Sequence, residues 1–541
     1  MEILKFCYKY LKVNLFLFLS LIFINILGSC ANIYITYITG EYIDLLVLLN
    51  SKTIVFKFGI IFFVSTLISI FCSYISNMIL CRLQNKSSYN LQDSMFEHIK
   101  NLPIEYFDNK DTIYLTDRVV KDCNEVISFT INSFLNVLIN ILSLLIYTIF
   151  LISVDYKVLI FLIIIIPIYC LAYYLFKKPL YNNNYKYKEN QNKLYTKSYN
   201  QIKNINFIKS HSLFNIVRED FRNTFNETLL SAISNMRTYS SFLSLGSLIK
   251  TFLNVSLFFY SGISIINKHM TVGNFIVLNR YLSKIMGSVQ YFLNFTTTYQ
   301  NTKVSYMRIK EILNIDIEVN GSKHINQIEN ISLIDVKFSY DSKNILNKFN
   351  YIFEKGNVYG VVGPNGTGKS TLINLIIGIL QDYEGKILYN SENIKNLNMY
   401  NIRYNKIGIV DQKPIFIKDT IIENLTSYNK DISKKNIIKY FDEYNINYFI
   451  NNDNMISDKK IELLSGGEMQ KISLIRELLK EASLFILDEP TTYLDSNSVK
   501  ELKKDIKSIK ENSIVIIISH DNMFLDISDK IIDLSSYVKI N

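Results

Sequence analysis

The chain has 541 residues and a mass of 63.1 kDa, room for two or more domains. Apolar residues make up 49% and mean hydropathy is +0.14, high for a soluble protein, and the apolar residues fall in long runs only before about residue 300. A membrane domain followed by a soluble one is expected. The net charge of +10 would suit nucleic acid, but the basic residues cluster in the joins between apolar runs, a membrane-topology pattern that excludes nucleic acid as the partner.

Stretches apolar enough to cross a bilayer, about 20 residues each, lie at 13–38, 54–80, 127–152, 158–177, 239–266 and 271–298. The short joins (40–53, 153–157, 267–270) carry few basic residues: Lys52, Lys157 and Lys268. The long loops, 81–126 and 178–238, carry Arg82, Lys86, Lys100, Lys110, Arg118 and Lys121, then many more from Lys177 to Arg237; Lys5, Lys9 and Lys12 precede the first span. The Lys/Arg rule places both termini and both long loops in the cytoplasm, giving a multi-pass protein of the cell membrane with the lipid bilayer as partner. Leu27-Gly28-Ser29-Cys30 has the look of a lipoprotein cleavage site, but the apolar pattern continues through Ala31 to Ile38, so an ordinary span is expected.

Three basic residues interrupt the last spans: Lys250, Arg280 and Lys284. Charge at bilayer depth is costly and usually faces a cavity or a partner. Arg280 and Lys284, four apart, share a helix face. They either line a positive cavity suited to acidic or phosphate-bearing cargo, or snorkel and pair internally. Six cysteines (Cys7, Cys30, Cys72, Cys81, Cys123, Cys170) show no CxxC pair and no metal spacing, so they are read as small apolar residues.

Beyond about residue 317 strand-like and helix-like segments alternate, as in an α/β domain. After the apolar run Val358 to Val362 comes Gly363-Pro364-Asn365-Gly366-Thr367-Gly368-Lys369-Ser370, and Thr371 opens a helical run. Glycines there let backbone N–H groups wrap a polyphosphate at a helix start, Lys369 would reach the β- and γ-phosphates, and the Ser370 hydroxyl would sit on Mg²⁺. ATP or GTP binding is expected. Leu484 to Leu487 is a buried-strand pattern ending in Asp488 and Glu489. Asp488 would hold the Mg²⁺ shell, and Glu489 would orient or deprotonate the attacking water.

Leu464-Ser465-Gly466-Gly467-Glu468-Met469-Gln470 then matches the signature of ABC transporters, with Glu468 where many members have Gln. Its Ser and glycines open a helix and offer a second anion site. The order of segments, six spans then one ATPase, is similar to an exporter-type half-transporter of that family. The resemblance implies a membrane α-helical bundle of six transmembrane helices (type IV transporter fold, 1–316) and an α/β P-loop NTPase domain with a helical subdomain (317–541). It further implies that Tyr340 stacks on adenine, favouring ATP, and that Gln412 touches Mg²⁺. Asp495 would lie in a loop crossing a dimer interface, and His520 would contact the γ-phosphate. Leu464, Ser465, Gly466, Gly467, Glu468 and Gln470 would cap the nucleotide of the opposite subunit, in a homodimer or a heterodimer with a second half-transporter.

Leu102 to Asp122, with its Pro103, Phe107 and Asp108, resembles the first intracellular loop of exporters, which docks on the ATPase domain; Ile113 stands where the family has Gly. Ser457-Asp458-Lys459-Lys460-Ile461 replaces a Gly-Glu-x-Gly stretch common before the signature, which bears on coupling. No protease domain precedes the first span, so leader-cleaving export is not expected. ATP-driven efflux of a small molecule, lipid-like compound or peptide by alternating access is expected, with the transported substrate open. Uptake of a metal chelate or similar solute, and an ATP-gated channel or regulatory sensor, remain alternatives.

Overall fold

A computed structural model describes residues 2–49, 52–108, 112–340, 343–427, 432–450, 459–519 and 526–537. The chain forms two compact units, Met1–Ile99 with Thr112–Asn314, and Lys100–Asp111 with Ile315–Asn541.

The first unit is built on six long helices: α1 (Leu15–Leu49), α2 (Lys52–Lys100), α3 (Cys123–Asp155), α4 (Val158–Lys203), α5 (Phe214–Ile266) and α6 (Val272–Leu313). They are 33 to 53 residues long, about 50 to 80 Å, far more than a hydrocarbon layer of about 30 Å requires. The excess is the expected long loops: 81–100, 178–203 and 214–238 are helical continuations of α2, α4 and α5. The polar residues of the last two hold helix because α4 and α5 pair along the extension. Lys197 Nζ donates to Asp220 Oδ1 at 2.5 Å, and Asn183 Nδ2 to Thr238 Oγ1 at 2.7 Å. Arg118 and Asp122, in the segment that resembles the first intracellular loop, form an i,i+4 ion pair at 2.9 Å; the buried Asp122 also accepts from Ser305 Oγ of α6.

Among the described residues five of these helical segments are long and apolar enough to cross a membrane; α6 is long enough but too polar. On its buried face Leu278, Tyr281, Leu282 and Ile285 pack with Tyr147 and Leu151 of α3, Leu162 of α4 and Leu253 of α5. Its start is pinned to α1. A Cβ on Gly273 would lie 2.1 Å from Gly40 O, so only glycine permits that crossing. Asp44 of α1 accepts from Thr271 Oγ1 (2.6 Å) and Gly273 N (2.7 Å), neutralising the helix start.

The second unit holds two sheets. An antiparallel one is formed by β1 (Asn330–Tyr340), β2 (Lys343–Glu354), β4 (Glu384–Tyr389) and β5 (Glu392–Asn393), ordered β2-β1-β4-β5. A parallel one is formed by β3 (Val358–Val362), β6 (Ile407–Val410), β7 (Leu484–Asp488), β8 (Ile514–Ile518) and β9 (Lys530–Asp533), ordered β6-β7-β8-β3-β9. Alternation along β8 feeds both faces: Ile514, Ile516 and Ile518 enter one core, Val515 and Ile517 the other. A parallel sheet buried on both faces explains these unbroken apolar runs. The short segment Lys100–Asp111 belongs to this unit: Asn101 O accepts from Glu318 N (2.8 Å), and its side-chain oxygen from Tyr400 Oη (3.2 Å).

Candidate nucleotide site

β3 is an inner strand of the parallel sheet, and the loop leaving its carboxyl end is the glycine-rich stretch. Gly363, Gly366 and Gly368 have φ of +148°, +84° and +87°. Gly368 is doubly constrained, since a Cβ there would also stand 2.4 Å from Ile345 Cγ2. Gly368 begins α7 (Lys369–Ile376) without any side-chain cap. First-turn N–H groups left uncapped at a helix start suit an anion. The Lys369 ammonium folds over the loop and donates to Gly363 O (2.6 Å) and Pro364 O (3.1 Å); Thr367 Oγ1 donates to Pro364 O at 2.9 Å. Asn365 lies at the loop's exposed outer bend, Ser370 follows Lys369 in the first turn, and Thr371 turns into the core.

The sheet brings the other expected residues to the same edge. Gln412 follows the carboxyl end of β6, and Asp488 and Glu489 close β7. β8, next to β3, ends just before Ser519 and His520; His520 itself lies outside the described residues. Carboxyl ends of neighbouring parallel strands are where α/β sheets bind ligands. Gln412 Nε2 donates to Glu489 Oε2 at 2.8 Å, so two residues 77 apart in sequence meet. Glu489 holds φ +45° while preceding Pro490, a conformation a β-branched or proline-preceding residue normally avoids. Its N–H is anchored to Ile518 O at 2.8 Å. Such strain concentrates at functional positions. Ser370 hydroxyl, Asp488 carboxylate and Gln412 carboxamide are hard oxygen donors. Among the described residues no group of three or more His, Cys, Asp or Glu could cage a metal. This donor set fits Mg²⁺, which keeps waters and substrate phosphate oxygens in its shell.

Tyr340 ends β1, exposed, edge-on to Phe338 at 4.9 Å. The signature lies apart from the phosphate loop's immediate contacts and opens α8 (Gly466–Leu478). Leu464 is buried beneath it. Ser465 caps this helix: its Oγ accepts from Glu468 N, and the Glu468 carboxylate accepts from Ser465 N (2.6 Å) and Tyr448 Oη (2.7 Å). Burial opposes ionisation of Glu468, but those hydrogen bonds overcome it and hold its carboxyl below the usual range. Gln470, expected to face nucleotide, is wholly buried, and its amide has no hydrogen-bond partner among the described residues.

Asp495 caps α9 (Ser496–Ile509) by accepting from Ser498 N (2.9 Å), and pairs with Lys471 of α8 at 2.6 Å. Burial is again overcome, here by Lys471 and Ser498, and the Asp495 carboxyl sits well below its ordinary range. A Cβ on Gly467 would meet Tyr493 O at 2.8 Å, so the signature helix and the loop after β7 are in close contact. Of the stretch before the signature, Ser457 and Asp458 lie outside the described residues, and Lys459 stands over the Phe449 ring at 5.0 Å.

Residues 346–492 match the family model described as ABC transporter, and residues 17–289 the model described as ABC transporter transmembrane region. The chain is 23% identical over 459 residues to the "Putative multidrug export ATP-binding/permease protein YgaD" of Bacillus subtilis (strain 168), covering 83% of this chain and 79% of that one. It is 28% identical over 444 residues to the ATP-dependent lipid A-core flippase of Desulfotalea psychrophila (strain LSv54 / DSM 12343), covering 79% and 76%. The structure of a bacterial Atm1-family ABC exporter with ATP bound superposes with a TM-score of 0.81 over 95% of this chain and 92% of that one, at 17% identity, a likeness of fold. The chain therefore belongs to the ABC transporter family, as a multi-pass, exporter-type half-transporter that binds ATP and couples its hydrolysis to transport.

Proposed function

We propose that two copies of this chain, or one copy and a second half-transporter, form an exporter that clamps ATP between the phosphate loop of one subunit and the signature helix start of the other. The nucleotide-binding region and both termini lie in the cytoplasm, consistent with the basic long loops. The convergence of Lys369, Gln412 and Glu489 at one edge of the parallel sheet carries this proposal. Glu489, held through its N–H and by Gln412, positions the attacking water and takes its proton. Lys369 leaves the loop carbonyls for the β- and γ-phosphates, and the uncapped N–H groups of α7 bind phosphate oxygens. Ser370, Gln412 and Asp488 would hold Mg²⁺, which when bound offsets charge on the phosphate oxygens. His520 is assigned to the γ-phosphate and Tyr340 to adenine by their order in the chain.

ATP drives transport only through its different affinity for the clamped and open dimers. The relatives' names point to drug-like or lipid-like cargo moving outward, so efflux of a small molecule, lipid-like compound or peptide is the assigned direction. Glu489→Gln in the full-length protein with ATP and Mg²⁺ tests the site. Removing a positioned base lowers turnover by about 10²- to 10⁴-fold, leaving nucleotide trapped in a stable dimer. Normal turnover by this variant would refute the assignment.

A further inference from the structure

The first unit holds a cavity of about 480 Å³ between α1 and α6, large enough for a drug-sized molecule. Asn32 and Thr36 of α1 face it, as do Asn279, Arg280, Ser283 and Lys284 of α6. These α6 residues form the face opposite the buried Tyr281, Leu282 and Ile285, and they explain why α6 alone of the six long helices is too polar to read as a span. Both cations are exposed, and neither is ion-paired among the described residues. Asp44 of α1, at the start of α6, is engaged by Thr271 and Gly273. Lys250 of α5 is not among the lining residues.

The surroundings of the two cations favour a ligand over snorkelling. Arg280 and Lys284 lie about 12 and about 18 Å along α6 from Val272. Both lie inside the stretch 271–298, on the helix face that lines the cavity. Charge in a membrane domain usually faces a cavity or an opposite charge, and here both cations line a cavity walled on its apolar side by Ile35 and Phe275.

We propose that this cavity is the cargo site and that it selects an amphipathic anion. A phosphate or a pair of carboxylates is held between Arg280 and Lys284, the carboxamides and hydroxyls of Asn32, Thr36, Asn279 and Ser283 complete its hydrogen bonds, and the apolar body lies against Ile35 and Phe275. The assignment rests on the export function above and names its cargo class. The anion is either a lipid headgroup or a soluble organic acid, and the two are separable.

The test uses the full-length protein in phosphatidylcholine nanodiscs without nucleotide, with empty discs as background. The soluble probe is 1-naphthyl phosphate against 1-naphthol; the lipid probe is short-chain phosphatidic acid against phosphatidylcholine of the same chains. Naphthyl phosphate is expected to bind at least about tenfold more tightly than naphthol, about 1.4 kcal/mol. Arg280→Gln/Lys284→Gln is expected to lose at least that factor, and the charge-keeping Arg280→Lys/Lys284→Arg to retain most of it. Phosphatidic acid displacing naphthyl phosphate assigns the site to a lipid headgroup; failure to displace it assigns a soluble anion. The proposal is overturned if neither anion outbinds its neutral analogue, or if the glutamine pair binds both as wild type does. That result leaves the export function untouched, because no ATP is involved; export falls instead on normal turnover by Glu489→Gln.

Discussion

Gly466 and Gly467 open the same helix, yet the structure predicts opposite consequences for an added methyl group. Alanine gains helix propensity at both positions, by up to about 1 kcal/mol. At 466 the nearest neighbours of a new Cβ are Tyr493 ring carbons at 3.9 Å, an ordinary contact. At 467 it would stand 2.8 Å from Tyr493 O, closer than carbon and oxygen pack. Relief requires moving backbone already held at φ +69° for Tyr493, and with it the Asp495–Lys471 pair. Overpacking of this kind costs about 1–3 kcal/mol. Propensity is common to both variants, so their difference isolates the clash. For a unit of this size each kcal/mol corresponds to about 2–4 °C, so Gly467→Ala should unfold about 2 to 12 °C below Gly466→Ala when the full-length protein is melted in nanodiscs without nucleotide. Equal midpoints would refute the claim that the signature start packs on the Tyr493 carbonyl.

Burial pushes the Asp505 carboxyl up to about 6 from an ordinary 3.8, partly offset by the Tyr444 hydroxyl, which donates to it at 2.7 Å. A folded pKa above the unfolded one means that stability is full below about pH 4 and is lost as pH rises through about 6. Two units correspond to at most about 3 kcal/mol, and for a half-buried group about 1–2 kcal/mol. Asp505→Asn should therefore raise the unfolding temperature at pH 7.5 and leave it unchanged at pH 4; an equal shift at both would contradict this. In the first unit, Asp44→Ala strands Thr271 and Gly273 N at the start of α6 and should cost about 1–3 kcal/mol, seen as earlier melting, with Asp44→Asn intermediate. No difference among the three proteins would show that this contact does not pin α6.

The phosphate loop was legible in the sequence because its chemistry needs glycine at fixed places and a lysine beside the helix start, and Gly368 meets Ile345 just where a side chain would not fit. The order of Gln412, Asp488 and Glu489 was readable, whereas the hydrogen bond joining the first and last depends on β6 and β7 being neighbours, which spacing alone does not reveal. Ser465 and Glu468 have the Ser-x-x-Glu spacing of a capping box, so that local role was available in the sequence; Tyr448, which completes it from 20 residues upstream, was not. The burial of Gln470 is a tertiary outcome with no local signal. The long polar segments were read as loops because period and polarity identify an amphipathic helix only when one face is apolar; α4 and α5 keep helix by pairing with each other through Lys197–Asp220 and Asn183–Thr238. Arg280 and Lys284 were visible as anomalies, and only the structure shows them on a cavity wall.

Complementation between two inactive variants tests the shared nucleotide site most directly. Lys369→Ala disables the phosphate loop, and Gly466→Asp places a like charge where the opposite phosphate would sit, at a position where an added Cβ meets its own chain no closer than 3.9 Å. Each variant alone should be inactive. Co-expressed with different tags and mixed equally, half of the dimers are mixed and each of those holds one intact composite site, so about a quarter of wild-type hydrolysis should return if sites act independently. Mixed dimers that co-purify through both tags yet hydrolyse no ATP would contradict the account.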